Sequence, residues 1–579
     1  MNTALLLSIL FPIALALAGL WRPLDRIMRW AYVLAPLPAL FCALALTHDT
    51  AVIFQNFLLG SMIGLDRLGR AFLILTAVVW SLSGLFTQNY FPDEEQTRRY
   101  RFFYLLTLSG NLGVTVALDA VSFYTFFGIM TVAAYGLVSH WRTEASFSAG
   151  RYYLGFALFG EMLILAGLIM AAQASGSIAL AYITSGINSA VTKNWIYGCL
   201  FFGFGIKVGL VPLHFWLPRS YYSAPLPATA VLSGAMTKAG VLGWFRFLPV
   251  YGVGSESWST FMIGAGVLMA FYGVIVGLVQ SRARSALAFS SLSQMGYLTI
   301  IIGLALVPSV DAKTVLLAGM AFVFHHGLTK ATMFLGLSLL MSEPAASTRR
   351  KVYWGALAFA SLSLIGVPLT SGAFAKYLMK GLVVPTGPWH EAGSWILILG
   401  SVGTTLLMAR FLILAWRQDK EMQSDGWRWL PWTAGMLLCV AGAWLLPPVL
   451  ATLLEVELGP LGWTASWQGF WPILVGAIPV LLLTRKTWTH DSRYTPRPLE
   501  GIRVKTHQKV WLDLPAFIRD KAFLFSARVQ HFIASLNIDE RSARMVLHSL
   551  KLQTGWRLGM TLLLALWLLL WLFLSGEGT

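Results

Sequence analysis

The chain has 579 residues, 57% of them hydrophobic and 12% charged, with a formal net charge of +17. That balance belongs to a polytopic membrane protein and excludes a soluble globule. The surplus Lys and Arg lie in short loops and one tail instead of on a face interleaved with aromatics, which excludes nucleic acid as a partner. Cys42, Cys199 and Cys439 are far apart in apolar surroundings, and no Gly-rich phosphate loop occurs. Neither a metal site, nor an iron–sulfur cluster, nor ATP, nor any other cofactor is expected.

The fold class expected is all-α, with about 16 apolar runs long enough to span a bilayer. The first run lacks a basic flank and a small-residue cleavage site, so it reads as a span and not as a removable signal. The loops WRPLDRIMRW (21–30), QTRRYR (96–101), HWR (140–142), SRAR (281–284), STRRK (347–351) and WRQDK (416–420) are basic. The loops between them, such as HDTAVIFQN (48–56), carry almost no Lys or Arg. The positive-inside rule then puts the N-terminus outside, and an even span count puts the C-terminus there too. In a bacterium this is the inner membrane with both termini periplasmic.

The fifth span, DAVSFYTFFGIMTVAAYGLV (119–138), is rich in aromatics and has Gly128 near its middle. The sixth, RYYLGFALFGEMLILAGLIMA (151–171), holds one acid, Glu161. Counted from the inner ends of the two spans, Gly128 and Glu161 lie ~15 and ~14 Å deep by helix rise. The seventh and eighth spans, 201–247, each carry one cation, Lys207 and Lys238, and the first is broken by Pro212 and Pro218. A lysine at mid-membrane costs about 2.5–3.5 kcal/mol. Proline there frees carbonyls that protein or a wet cavity must satisfy. Snorkelling to the interface is the structural explanation, but both lysines have apolar turns on either side, and an ion pathway is expected.

The stretch KVGLVPLHFWLPRSYYSAPLPATAVLSGAMTKAG (207–240) resembles the signature of a family of antiporter-like membrane subunits. That family is shared by respiratory complex I (NADH:quinone oxidoreductase), Mrp-type multi-subunit Na⁺/H⁺ antiporters and membrane-bound hydrogenases. Its pattern is K-x-G-x-x-P-x-H-x-W-L-P, then A-P-x-P, then a lysine or histidine on the next helix; Arg219 stands where an acid is usual. The resemblance implies a buried glutamate on the fifth helix, and Gly128 occupies that place. Glu161, at matching depth, is the substitute this chain offers as partner of Lys207. A packing role for that acid is the alternative.

The segment GLVQSRARSALAFSSLSQMGYL (277–298) resembles the family's Q-x-D-x-K-R-x-L-A-Y-S-S loop, with Arg282 in the acid's place and Arg284, Ser290 and Ser291 retained. It is expected to be a structural cytoplasmic corner. In AFVFHHGLTKATMFLGLSLL (321–340), His326 and Lys330 are four apart and share a helical face, with His325 about 100° away. A lone histidine in an apolar run more often packs than relays, but this one shares a face with a buried lysine. The segment matches the family's eleventh helix. The family's further histidine falls on Phe322, so His325 or water is expected to fill that gap. LSLIGVPLTSGAFAKYLMKGLV (362–383) repeats the theme: Gly366, Pro368 and Gly372 break the span, and Lys376 follows. Lys380, nearer the outer end, is a second candidate.

Breaks at Pro212 and Pro368 in corresponding positions point to two inverted repeats. The division expected is N-terminal spans in 1–101, a first repeat in 102–248 (spans 4–8), a second in 259–416 (spans 9–13) and C-terminal spans in 431–484. Residues 485–555 are basic and expected on the cytoplasmic side. Within them LPAFIRDKAFLFSARVQHFIASL (514–536) is amphipathic and would lie on anionic lipid. By arrangement it is similar to the lateral helix of a distal complex I subunit, which would bind other membrane subunits. A final anchoring span falls in 556–579.

The resemblance implies a proton-translocating, antiporter-like subunit of an energy-converting membrane complex, with no catalysis of its own. Protons would move along Glu161, Lys207, Lys238, His325, His326, Lys330 and Lys376. Two alternatives stay open: an Mrp-type cation/proton antiporter subunit, or the proton-driven membrane half of a two-component inorganic-carbon accumulation system. The soluble partner would accordingly be a redox protein or a carbonic-anhydrase-like one.

Overall fold

Lipid offers backbone groups no hydrogen bonds, so a membrane chain must satisfy them internally, and helices account for most of this one. The computed structural model describes residues 2–46, 50–54, 60–88, 90–91, 93–248, 255–307, 310–383, 389–418, 427–457 and 470–486. Residues 1–481 form one compact unit. A second unit, 482–579, is described only as far as Lys486. The rest of the basic 485–555 segment, with its lateral-type helix, and the final anchoring span lie outside the described residues.

The first helix, α1 (Asn2–Ala18), is followed by a bend of 113° into a short segment containing α2 (Asp25–Met28). The second apolar run is split into α3 (Ala31–Leu34) and α4 (Leu37–Ala45). The all-α expectation needs correction at the next loop. There β1 (Thr50–Phe54) pairs antiparallel with β2 (Ser61–Leu65), Val52 opposite Ile63. Thr50, Val52, Ile53 and Phe54 are β-branched or aromatic and fit a pleated surface better than a helix.

Four helices then begin at side-chain caps: α5 (Arg67–Thr87), α6 (Glu94–Val116), α7 (Ala120–Val138) and α8 (Glu144–Ser175). Asp66, Asp93, Asp119 and Thr143 each accept the backbone N–H three residues on, satisfying donors that a helix start leaves open. There follow α9 (Leu180–Ser189), α10 (Lys193–Val208), α11 (Trp216–Ser223), α12 (Leu226–Val231), a π-turn at Leu232–Met236 and α13 (Thr237–Phe247). The remainder are α14 (Glu256–Leu278), α15 (Ala283–Leu304), α16 (Ala312–Ser342), α17 (Thr348–Ile365), α18 (Ser371–Val383), α19 (Trp389–Arg417), α20 (Trp429–Leu454) and α21 (Trp471–Lys486).

By length and composition, seven of the described helices can cross a membrane, or eight with the bent first pair. The longer expected list also contains segments that are shorter, more polar or broken. α16 is the hub, packed against α5, α12, α15, α17, α18 and α20. The apolar stretch of α15 beside it is 94% buried, against 39% for α8 and 28% for α20, which expose much of their apolar surface.

Both expected breaks are present, and glycine opens each. α10 ends at Gly209 (φ +97°), and α17 ends at Gly366 (φ +92°). In each case the glycine N–H and the next residue's N–H fold back onto carbonyls of the preceding turn, the usual glycine stop. Pro212 and Pro368 follow two or three residues later and keep the chain from resuming at once. Side chains beyond the breaks take up freed carbonyls: Trp216 Nε1 donates to Ile206 O (2.7 Å), and Lys376 Nζ donates to Ile365 O (2.6 Å).

Candidate functional site

The last turn of α10 holds Lys207, 4% exposed. Its Nζ donates to Thr131 Oγ1 of α7 (2.9 Å) and to the Tyr153 hydroxyl of α8 (3.2 Å), beside the rings of Phe127 and Tyr153. Tyr153 in turn donates to Thr131 O (3.1 Å). Glu161 is buried on α8 within electrostatic reach of Lys207. No hydrogen bond or ion pair among the described residues joins the two, and Glu161 Oε1 has no protein partner. A Cβ built on Gly128 would meet a single group within 4 Å, Glu161 Oε2 at 3.9 Å. The acid on α8 thus reaches the place that a side chain at 128 would enter.

A second cluster surrounds α16. Lys238 follows the π-turn directly. Its Nζ donates to the Ser233 carbonyl and lies 3.4 Å from Thr237 Oγ1 and 2.8 Å from His326 Nδ1. A wider turn leaves carbonyls without their usual helical donor, and such turns recur at functional sites. Lys330 donates to Ser290 Oγ (2.7 Å) and Leu287 O (3.0 Å) of α15. Ser291 Oγ lies 3.2 Å from Ser233 Oγ. The expected corner at 277–298 is thereby corrected. Only the few residues between α14 and α15 form a loop, while Ser290 and Ser291 are buried in α15 and touch the charged cluster or its flank.

His325 meets Ser371 at the start of α18, Nδ1 to Oγ 2.9 Å. Lys376, beyond the second break, adds Ser401 Oγ (3.3 Å) to its bond with Ile365 O. Lys238, His325, His326, Lys330 and Lys376 all lie within Coulomb range of neighbours in the set. Lys380, one turn beyond Lys376 on α18, is exposed. No hydrogen bond among the described residues links Lys207 to Lys238; α13 packs on α10 with Gly240 against the Lys207 stem.

The arginines that depart from the family pattern find aromatic partners. Arg219 lies over the Tyr152 ring at 3.6 Å and Arg282 over Tyr222 at 4.7 Å. Sequence reasoning missed the hydroxyls Thr131, Tyr153, Ser233 and Ser371, since Ser, Thr and Tyr are common in apolar helices, and it assigned Ser290 to a structural corner. It also missed Arg246, which is buried and joins Asp66 (2.8 Å) to the carbonyls of Val114, Thr115 and Ala117. Among the described residues, no three or more His, Cys, Asp or Glu side chains gather as a metal site. The chemistry available is proton holding and passing, by lysines and histidines bridged through hydroxyls and freed carbonyls.

Residues 117–408 match the family described as NADH:quinone oxidoreductase/Mrp antiporter, TM. An uncharacterised protein of Mycobacterium tuberculosis is 30% identical over 355 residues, 57% of this chain and 54% of the relative. NADH-quinone oxidoreductase subunit N of Desulforudis audaxviator is 30% identical over 359 residues, 58% of this chain and 67% of that one. A chain of the Mrp complex from Dietzia sp. DQ12-45-1b superposes with a TM-score of 0.73 at 19% identity, covering 95% of this chain and 62% of the other. The matches span from about half to two thirds of these proteins' own lengths. The matched region runs from α7 to α19 and contains both breaks and every residue of the two clusters, and the chain belongs to the NADH:quinone oxidoreductase/Mrp antiporter family.

Proposed function

We propose that this chain is a proton-translocating, antiporter-like subunit of a multi-subunit energy-converting membrane complex. One observation carries the reading: four buried or half-buried lysines, two histidines and a glutamate collect at two helix breaks and a π-turn. Isolated ionisable groups in a membrane core are costly, and backbone breaks are tolerated there only where protein or water satisfies them. Several buried polar atoms have no protein partner, among them Glu161 Oε1, His326 Nε2, Ser293 Oγ and Gln294 Oε1. Water reaching such atoms would offset their desolvation and would complete a conducting line.

In this mechanism Glu161 replaces the acid missing at 128 and acts on Lys207 through space. Whether each lysine keeps its proton depends on the charges its neighbours carry, so a change in the position or protonation of Glu161 changes the field at Lys207. A proton released there passes by water to Lys238 and His326, then by Lys330 and His325 to Lys376 and the outer side. Residues 102–248 and 259–416 act as two inverted repeats within a fold of about 16 spans. The likeness of the two glycine-opened breaks supports that division. Both termini are periplasmic, and the basic 485–555 segment is cytoplasmic, where it holds neighbouring subunits or anionic lipid. The second reading is an Mrp-type cation/proton antiporter subunit, which the description of the matching family also admits.

The test is proton uptake by vesicles containing the assembled complex. Lys207→Ala and Lys376→Ala should each abolish uptake while the protein still assembles. Normal uptake in both variants would defeat the mechanism.

A further inference from the structure

We propose that Ser371 is a positioning residue of the pathway: it holds the His325 imidazole by Nδ1 so that the ring's other edge faces Lys376 across Gly372. The inference rests on the proton-translocating reading above.

His325 is 4% exposed, and its Nδ1 lies 2.9 Å from Ser371 Oγ. Ser371 opens α18 directly after the second break. Its Oγ lies 3.4 Å from Ser363 Oγ in the last turn of α17, and both serines are buried. The opposite edge of the ring meets bare backbone. A Cβ built on Gly372 would lie 2.9 Å from His325 Cε1, 3.0 Å from Nε2 and 1.8 Å from Ser363 O. The imidazole is therefore clamped between a hydroxyl and a glycine that no larger residue can replace. Gly372 and Lys376 are four apart on one face of α18, and helical side chains lean toward the N-terminus. The Lys376 stem accordingly runs back along that face to the break, where Nζ reaches Ile365 O.

A hydroxyl suits this place for a chemical reason. The titratable groups facing His325 are Lys376 of α18, Lys238 of α13, and Lys330 and His326 of its own helix. A partner able only to accept or only to donate would lock one tautomer. Serine does both. It accepts from Nδ1–H while Nε2 stands free to take a proton, or donates to Nδ1 when Nε2 carries one. Ser363 Oγ supplies the compensating bond as the Ser371 hydroxyl turns. A proton taken at Nε2 gives the imidazolium with Ser371 still accepting from Nδ1–H; its release from Nε2 restores the starting tautomer, and the ring itself need not flip.

The experiment follows proton uptake against pH in vesicles holding the assembled complex, with Ser371→Ala, Ser371→Thr, His325→Gln and the double variant Ser371→Ala/His325→Gln. Ser371→Ala should slow uptake about tenfold, the worth of one buried hydrogen bond, and displace the pH optimum. Ser371→Thr should restore both, since threonine keeps the hydroxyl and the neighbouring Gly442 of α20 has no side chain to oppose the added methyl group. Adding Ser371→Ala to His325→Gln should change nothing further. Additive losses in the double variant, failure of threonine to rescue, or a wild-type rate and pH profile in Ser371→Ala would overturn the proposal. An active His325→Gln beside an inactive Lys376→Ala would sink the proposal and leave the pathway standing; normal uptake in both Lys207→Ala and Lys376→Ala would remove both.

Discussion

Glu161 is the acid proposed to act on Lys207. Glu161→Gln keeps the volume and the hydrogen-bonding capacity but removes the charge. Proton uptake should fall about as far as in Lys207→Ala, at least tenfold, since partnered charges in low dielectric commonly carry more than 1.4 kcal/mol. Restoring an acid as Gly128→Glu in that background should recover uptake, because a Cβ at 128 meets only the Glu161 carboxylate nearby. Wild-type uptake by the single Glu161→Gln variant would end the substitution idea. The depth match of Gly128 and Glu161 was legible from helix rise alone, because rise is fixed by backbone geometry. That the Glu161 carboxylate comes within 4 Å of a Cβ at 128 was not, because rise says nothing about which helix faces turn toward one another.

Among the elements, the breaks illustrate how far composition reaches. Proline at 212 and 368 marks the sites, but the turns are made by Gly209 and Gly366, whose positive φ ordinary side chains resist. Gly366→Ala should cost about 1–2 kcal/mol in backbone strain. It should also impair uptake beyond that loss, because the added Cβ would lie 2.8 Å from Lys376 Cδ. In Gly209→Ala the Cβ would meet Leu217 Cδ1 at 2.9 Å, so a similar stability loss should come without displacement of Lys376. Thermal unfolding in detergent, read beside uptake, separates the two effects. The π-turn before Lys238 left no mark in the sequence: LSGAM has no proline, and a one-residue widening depends on what packs against it. The β-hairpin was hidden because a short apolar run between spans looks like any loop in a hydropathy trace.

At the level of the whole molecule, hydropathy and loop charge carried the membrane assignment, since burying charge in lipid is the largest penalty in the system. If the basic tail is cytoplasmic, a cysteine introduced at Ser492 should resist labelling from outside intact cells. Efficient labelling there would invert the topology. The basic loops are also not all free surface. Asp25, after the first bend, accepts from Arg98 and, at 2.7 Å, from the almost fully buried Arg101. The Arg98 hydrogen bond, ahead of the contribution from Arg101, holds the Asp25 carboxyl below its ordinary value against the opposing effect of burial. A carboxylate with a lowered folded value stabilises above its unfolded value and loses that contribution as pH falls through the folded one. Asp25→Asn should therefore cost about 3 kcal/mol at pH 7 by stranding a buried arginine. The gap in melting temperature to wild type should close below about pH 4. A gap that persists unchanged into acid would show that the pair contributes nothing.

The same latch bears on how the chain is made. Asp25 and its partners are 73 and 76 residues apart, so the aspartate waits for the head of α6 to leave the ribosome. At about 5–20 residues per second that delay is ~4–15 s. During it the first span must stay in place without its tether. Once Arg98 and Arg101 emerge, the tether closes on material that precedes both breaks, giving the later helices a finished wall to insert against.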